Sequence, residues 1–83
     1  MKNNIFGSQN VIAKGNENII KGSKNKLRGN KNLIDGNINT VDGNENSVMG
    51  NLNKLKGDEN ILVGDKNNIY GNQNTAMGSE NSV

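Results

Sequence analysis

The chain has no cysteine, histidine, proline or tryptophan, and its 83 residues include a single Tyr and a single Phe. Without cysteine there is neither a disulfide staple nor a thiolate metal site. Without histidine or cysteine the usual nucleophile–base pairs cannot be assembled, and a serine such as Ser47 has no partner to activate it. No enzyme activity, catalytic residue, metal site or cofactor is therefore expected. Ten Lys and Arg against eight Asp and Glu leave a net charge of only +2, too little for a basic nucleic-acid arm. No apolar run has signal-peptide or membrane-spanning length. Neither a nucleic acid nor a membrane is expected as a partner, and the compartment is left open. A hydrophobic content of 30% with 2% aromatic would by itself describe a disordered chain.

What is present reverses that reading. Every glycine falls in one frame: Gly7, Gly15, Gly22, Gly29, Gly36, Gly43, Gly50, Gly57, Gly64, Gly71 and Gly78. Three residues after each comes an asparagine: Asn10, Asn18, Asn25, Asn32, Asn39, Asn46, Asn53, Asn60, Asn67, Asn74 and Asn81. Two residues further on stands an apolar side chain: Ile12, Ile20, Leu27, Ile34, Val41, Val48, Leu55, Leu62, Ile69, Ala76 and Val83. Asn3 and Ile5 fit the same frame, with Lys14 read as the single insertion. A short fixed period marks a repeat architecture.

The heptad is not a coiled coil, which needs two apolar positions and helix-forming filler. Glycine alone would cost each such heptad about 1 kcal/mol in a helix. Collagen requires glycine at every third position. The remaining solution is a short strand, Asn-x-apolar-x, bounded by a Gly-Asn/Ser/Asp turn, with Asn and the apolar residue pointing inward. The expected fold is all-β: a β-solenoid, or β-roll, over residues 1–83 as one domain, with two heptads per coil, about six coils and no capping element. At about 4.8 Å per coil it should be roughly 29 Å long. The inward asparagines should bond to turn backbone and to one another, and Ala76 should make the weakest layer.

Alternate heptads then build opposite faces. One carries Val11, Ala13, Lys26, Arg28, Thr40, Asp42, Lys54, Lys56, Asn68, Tyr70 and Ser82 and is polar and mostly basic. The other exposes Phe6, Ile19, Leu33, Met49, Ile61, Val63, Thr75 and Met77, an apolar stripe suited to lateral contact or to ice. Glu17, Glu45, Glu59 and Glu80 recur at one phase of the turn, where Lys24, Lys31, Lys66, Gln9 and Gln73 also occur; solvated turn residues explain them better than a cation site. The glycine spacing, with no helix to follow, does not make a phosphate loop. Lys26, Arg28, Lys54 and Lys56 could meet a polyanion, or simply keep a face solvated.

The repeat, as in Gly43-Asn44-Glu45-Asn46-Ser47-Val48-Met49 or Gly36-Asn37-Ile38-Asn39-Thr40-Val41-Asp42, resembles the x-x-Asn-x-Val-x-Gly heptad of grass ice-binding proteins of the perennial ryegrass antifreeze type. The resemblance covers essentially the whole chain. It implies a left-handed β-roll with two heptads per coil and a flat face that docks on ice. The heptad also looks somewhat like repeats in the heads of trimeric bacterial adhesins.

Two functions are expected from these readings. The first is self-assembly: a solenoid ends in open strand edges, so copies could stack head to tail through Asn3, Ile5, Asn81 and Val83 into a filament. The alternative is ice binding, with ice as the partner.

Overall fold

The computed structural model describes residues 3–82. Eleven short strands follow one another: β1 (Asn4–Phe6), β2 (Val11–Lys14), β3 (Ile19–Lys21), β4 (Lys26–Arg28), β5 (Leu33–Asp35), β6 (Thr40–Asp42), β7 (Ser47–Met49), β8 (Lys54–Lys56), β9 (Ile61–Val63), β10 (Asn68–Tyr70) and β11 (Thr75–Met77). The six odd strands form one sheet and the five even strands another, each in chain order. All pairs are parallel. The chain crosses to the other sheet at every turn, so two heptads close one coil of an all-β solenoid. Five complete coils and β11 are formed; beyond them Ser82 makes an isolated bridge to Asn68. The extents are 31 × 22 × 14 Å, and the longest matches a stack of about six layers at the strand spacing.

Strands of three residues hold together because the corners are bonded as well as the strands. Ile19 donates its N–H to the Asn32 carbonyl at 2.9 Å, Gly22 to Phe6 at 2.9 Å, and Lys24 to Ser8 at 3.0 Å. Each coil thus satisfies backbone groups of the next, as buried or half-buried backbone requires. Glycine is needed where coils touch. At Gly43, φ is +146°, and an added Cβ would fall on the carbonyl oxygen of Gly57. Glycine alone tolerates both the angle and the approach.

The core is two columns of aliphatic side chains facing each other between the sheets. Ile20, Leu27, Ile34, Val41, Val48, Leu55, Leu62, Ile69 and Ala76 are buried, and Ile12 is half-buried against them. Beside these columns run the inward asparagines, buried from Asn18 to Asn67. Asn46 shows their bonding. Its N–H donates to Asn32 Oδ1 (2.9 Å), its Nδ2 donates to Gly57 O (2.8 Å) and Asn32 Oδ1 (3.1 Å), and its own Oδ1 accepts from Asn60 N (2.9 Å). The asparagine ladder therefore ties side chains chiefly to backbone of adjacent coils. Direct amide–amide bonds accompany only some rungs, such as Asn32 to Asn18 at 3.2 Å.

One position departs from the sequence reading. β2 pairs with β4 as Val11↔Lys26, Ile12↔Leu27 and Lys14↔Arg28. The extra residue is thus Ala13, taken up in a β-bulge, and Lys14 takes the place opposite Arg28 that the spacing gave to Ala13. The reason lies in the ladder: Gly29 N–H must find a carbonyl in the preceding coil, and it finds that of Lys14 at 2.7 Å. A bulge absorbs one residue while keeping register on both sides.

Candidate functional site

Each sheet presents two columns of outward side chains, repeating every coil. On the odd sheet the first column is Asn4, Ile19, Leu33, Ser47, Ile61 and Thr75, and the second is Phe6, Lys21, Asp35, Met49, Val63 and Met77. The first contains no ionisable group. Ile19, Leu33 and Ile61 in that column, and Phe6, Met49 and Met77 in the other, are exposed; Val63 is half-buried. The proposed apolar stripe is thus interrupted in its second column by Lys21 and Asp35 and is uncharged along its first.

The even sheet differs in charge. Its columns are Val11, Lys26, Thr40, Lys54, Asn68 and Lys14, Arg28, Asp42, Lys56, Tyr70. Five cations therefore stand against one carboxylate. On the rest of the described surface seven carboxylates stand against Lys21, Lys24, Lys31 and Lys66. The small net charge of the chain conceals this segregation, because a sum over residues carries no information on side. Lys56 Nζ lies 5.5 Å from the Tyr70 ring centroid, a cation–π distance.

The corners divide residues that share one phase in the sequence. Backbone bonds place Lys31, Glu45, Glu59 and Gln73 along one corner, after the turn of Glu17, whereas Lys24, Ile38, Leu52, Lys66 and Glu80 line the other. The four glutamates expected at one phase of the turn are therefore split, with Glu80 opposite the other three. Equivalent turns recur every fourteen residues, and Glu80 is three heptads from Glu59. Among the described residues no group of three or more acidic side chains is placed to hold a metal ion.

Two features of the corners are not evident from the repeat. First, where the residue after the glycine is Asn or Asp it forms a second ladder: Asn30 N–H donates to Asn44 Oδ1 (2.9 Å), Asn44 N–H to Asp58 Oδ1 (2.9 Å), and Asn51 N–H to Asp65 Oδ1 (2.9 Å). Asp serves as well as Asn because only the acceptor oxygen is required for this bond. Second, the following residue adopts the left-handed conformation at every turn, Ile38 and Leu52 included, with φ of 57° and 58°. These two apolar side chains stack one coil apart on one corner and are half-exposed.

Of the residues expected at the ends, Asn3 accepts from Asn18 N (3.0 Å) and Asn81 N–H donates to Asn67 Oδ1 (2.8 Å), continuing the inner ladder. Ile5, in the core column, is 46% exposed. Val83 lies outside the described residues.

Two short-stranded parallel sheets, closed by glycine corners and lined by asparagine ladders, define a β-roll whose outer columns repeat with the coil. The chain belongs to the family described as the grass antifreeze beta roll, whose family model matches residues 1–83. That family is described by its antifreeze roll and not by a reaction. No curated protein matches the chain. Among the described residues no helix is long and apolar enough to cross a membrane.

Proposed function

We propose that this chain is a non-enzymatic ice-binding protein that docks on ice through the odd sheet. The observation that carries the reading is the ion-free column Asn4, Ile19, Leu33, Ser47, Ile61 and Thr75, repeated at the coil spacing on a six-stranded sheet. Ice is a rigid, uncharged lattice of water. Ammonium groups are strongly hydrated, and taking any charge out of bulk water is costly unless it is paired. Rows of apolar and hydroxyl side chains hold water less tightly and can share an ordered layer with the crystal. Family membership supports the same reading. In an ice-recrystallisation assay, Leu33→Lys or Ile61→Lys should reduce the effect several-fold, whereas Thr40→Lys on the even sheet should not. Loss with Thr40→Lys alone would move the ice face to the other sheet.

A second reading is favoured by Ile5. It belongs to the core column yet is 46% exposed, while Ile20 above it is fully buried. Stacking of copies end to end, through Asn3, Ile5, Asn81 and Val83, would cover it and pair the open strand edges. Micrographs of concentrated protein should show filaments, and Ile5→Lys should shorten them. Discrete particles of one size would refute assembly and leave the ice reading untouched.

A further inference from the structure

The charge on the even sheet is not explained by ice binding, and its shape gives it direction. Two shallow hollows lie end to end along this sheet. One, of about 310 Å³, is bordered by Lys26, Arg28, Thr40 and Asp42. The next, of about 430 Å³, is bordered by Thr40, Asp42, Lys54, Lys56 and Tyr70. They share Thr40 and Asp42, so together they make one trough parallel to the solenoid axis, walled by the two outward columns. Each wall carries long cationic side chains. The pairs Lys26/Arg28 and Lys54/Lys56 sit two coils apart, about 10 Å along the trough.

We propose that this trough binds a linear acidic polysaccharide, a chain of sugars bearing carboxylate or sulfate groups. The elongated, straight and periodic cation pattern complements a linear, periodic polyanion rather than a single small anion. The concavity argues against a flat anionic bilayer as its occupant. Single-stranded nucleic acid binders use a series of aromatic platforms for the bases, whereas this face has only Tyr70, and Lys56 already lies over that ring. Asp42, flanked in its column by Arg28 and Lys56, opposes the polyanion and leaves the face basic.

The test is titration of the intact chain with heparin as the sulfated probe and polygalacturonate as the carboxylated one. Binding should fall at least about ten-fold between 50 and 200 mM salt, as expected when several cations release counterions from a polyanion. Lys26→Glu combined with Lys54→Glu should weaken it ten-fold or more, Lys31→Glu combined with Lys66→Glu at the corners less than two-fold, and Asp42→Asn should strengthen it. These positions are outward, and circular dichroism checks that each variant keeps its β signal; Asp42→Asn, a predicted gain, does not depend on the loss variants folding. Equal losses from both lysine pairs would show that only net charge matters and overturn the proposal. Equal or tighter binding of a single-stranded oligonucleotide or of anionic vesicles would overturn the assigned partner. The ice assay on the same variants is a separate readout, so either reading can fail alone.

Discussion

Ile38 places a β-branched side chain at φ 57°, a region that costs an L-residue roughly 1–2 kcal/mol and that asparagine tolerates best after glycine. The corner imposes this angle on whatever residue stands second after the glycine, because, as at Ile38, its N–H must reach a carbonyl of the preceding coil, here that of Ser23 at 2.9 Å. Ile38→Asn should therefore stabilise the roll by about 1 kcal/mol, a rise of about 5 °C in the thermal midpoint. An unchanged or lower midpoint would mean that Ile38 gains more from contact with stacked Leu52 than it loses in backbone strain. The left-handed angle was not legible in the sequence. That position holds Gln, Glu, Lys, Ile and Leu, none of them a turn residue, and the strain is outweighed by the ladder on either side. The inward asparagines and the core aliphatics were legible, since a period of seven with alternation inside the strand leaves them one direction to point.

Single strands here are defined by their registers more than by their own propensities. Three residues form a strand only because the coil before and the coil after present a matching row of donors and acceptors. The β2 bulge shows how far this holds. Deleting Ala13 should leave Lys14 paired with Arg28 and restore a regular heptad, with the β signal retained and the midpoint equal or higher. Deleting Thr40 from the regular strand β6 should instead invert the inward and outward positions and expose Val41, with a loss of about 1.5–3 kcal/mol from that side chain alone. Denaturant unfolding of the two deletions compares them directly. Sequence spacing located the insertion at this heptad but assigned it to Lys14, because counting forward from the core residue Ile12 makes Ala13 the next outward position; the carbonyl that meets the Gly29 N–H is that of Lys14, which moves the insertion to Ala13.

Across the molecule, the separation of an apolar sheet from a basic one follows from two heptads making one coil. This makes length a test of the surface assignment. Removing residues 36–49, one coil, keeps every later strand in its sheet and leaves the odd column as Asn4, Ile19, Leu33, Ile61 and Thr75. Removing residues 36–42, one heptad, preserves the glycine, asparagine and core frame but sends every later strand to the opposite sheet, bringing Lys54 and Asn68 into that column. Both deletions should fold with similar β spectra, since each keeps whole heptads. Only the first should retain the ice-recrystallisation effect. Retention by both would show that the activity does not depend on an ion-free odd column.

The roll was written in the periodic residues: glycine where no Cβ fits, asparagine where corner backbone needs an inward partner, and an aliphatic side chain where two sheets face each other. These follow from period and alternation, which are local and survive in one dimension. The structure was needed to separate what shares a phase but not a side. It divided the glutamates between corners, aligned Lys14 with Arg28 and Lys56 across the coils, joined two hollows into one trough, and showed an uncharged column beside one broken by Lys21 and Asp35. Those relations arise between residues fourteen or fifteen positions apart, and they exist only once hydrogen bonds between coils have set the register.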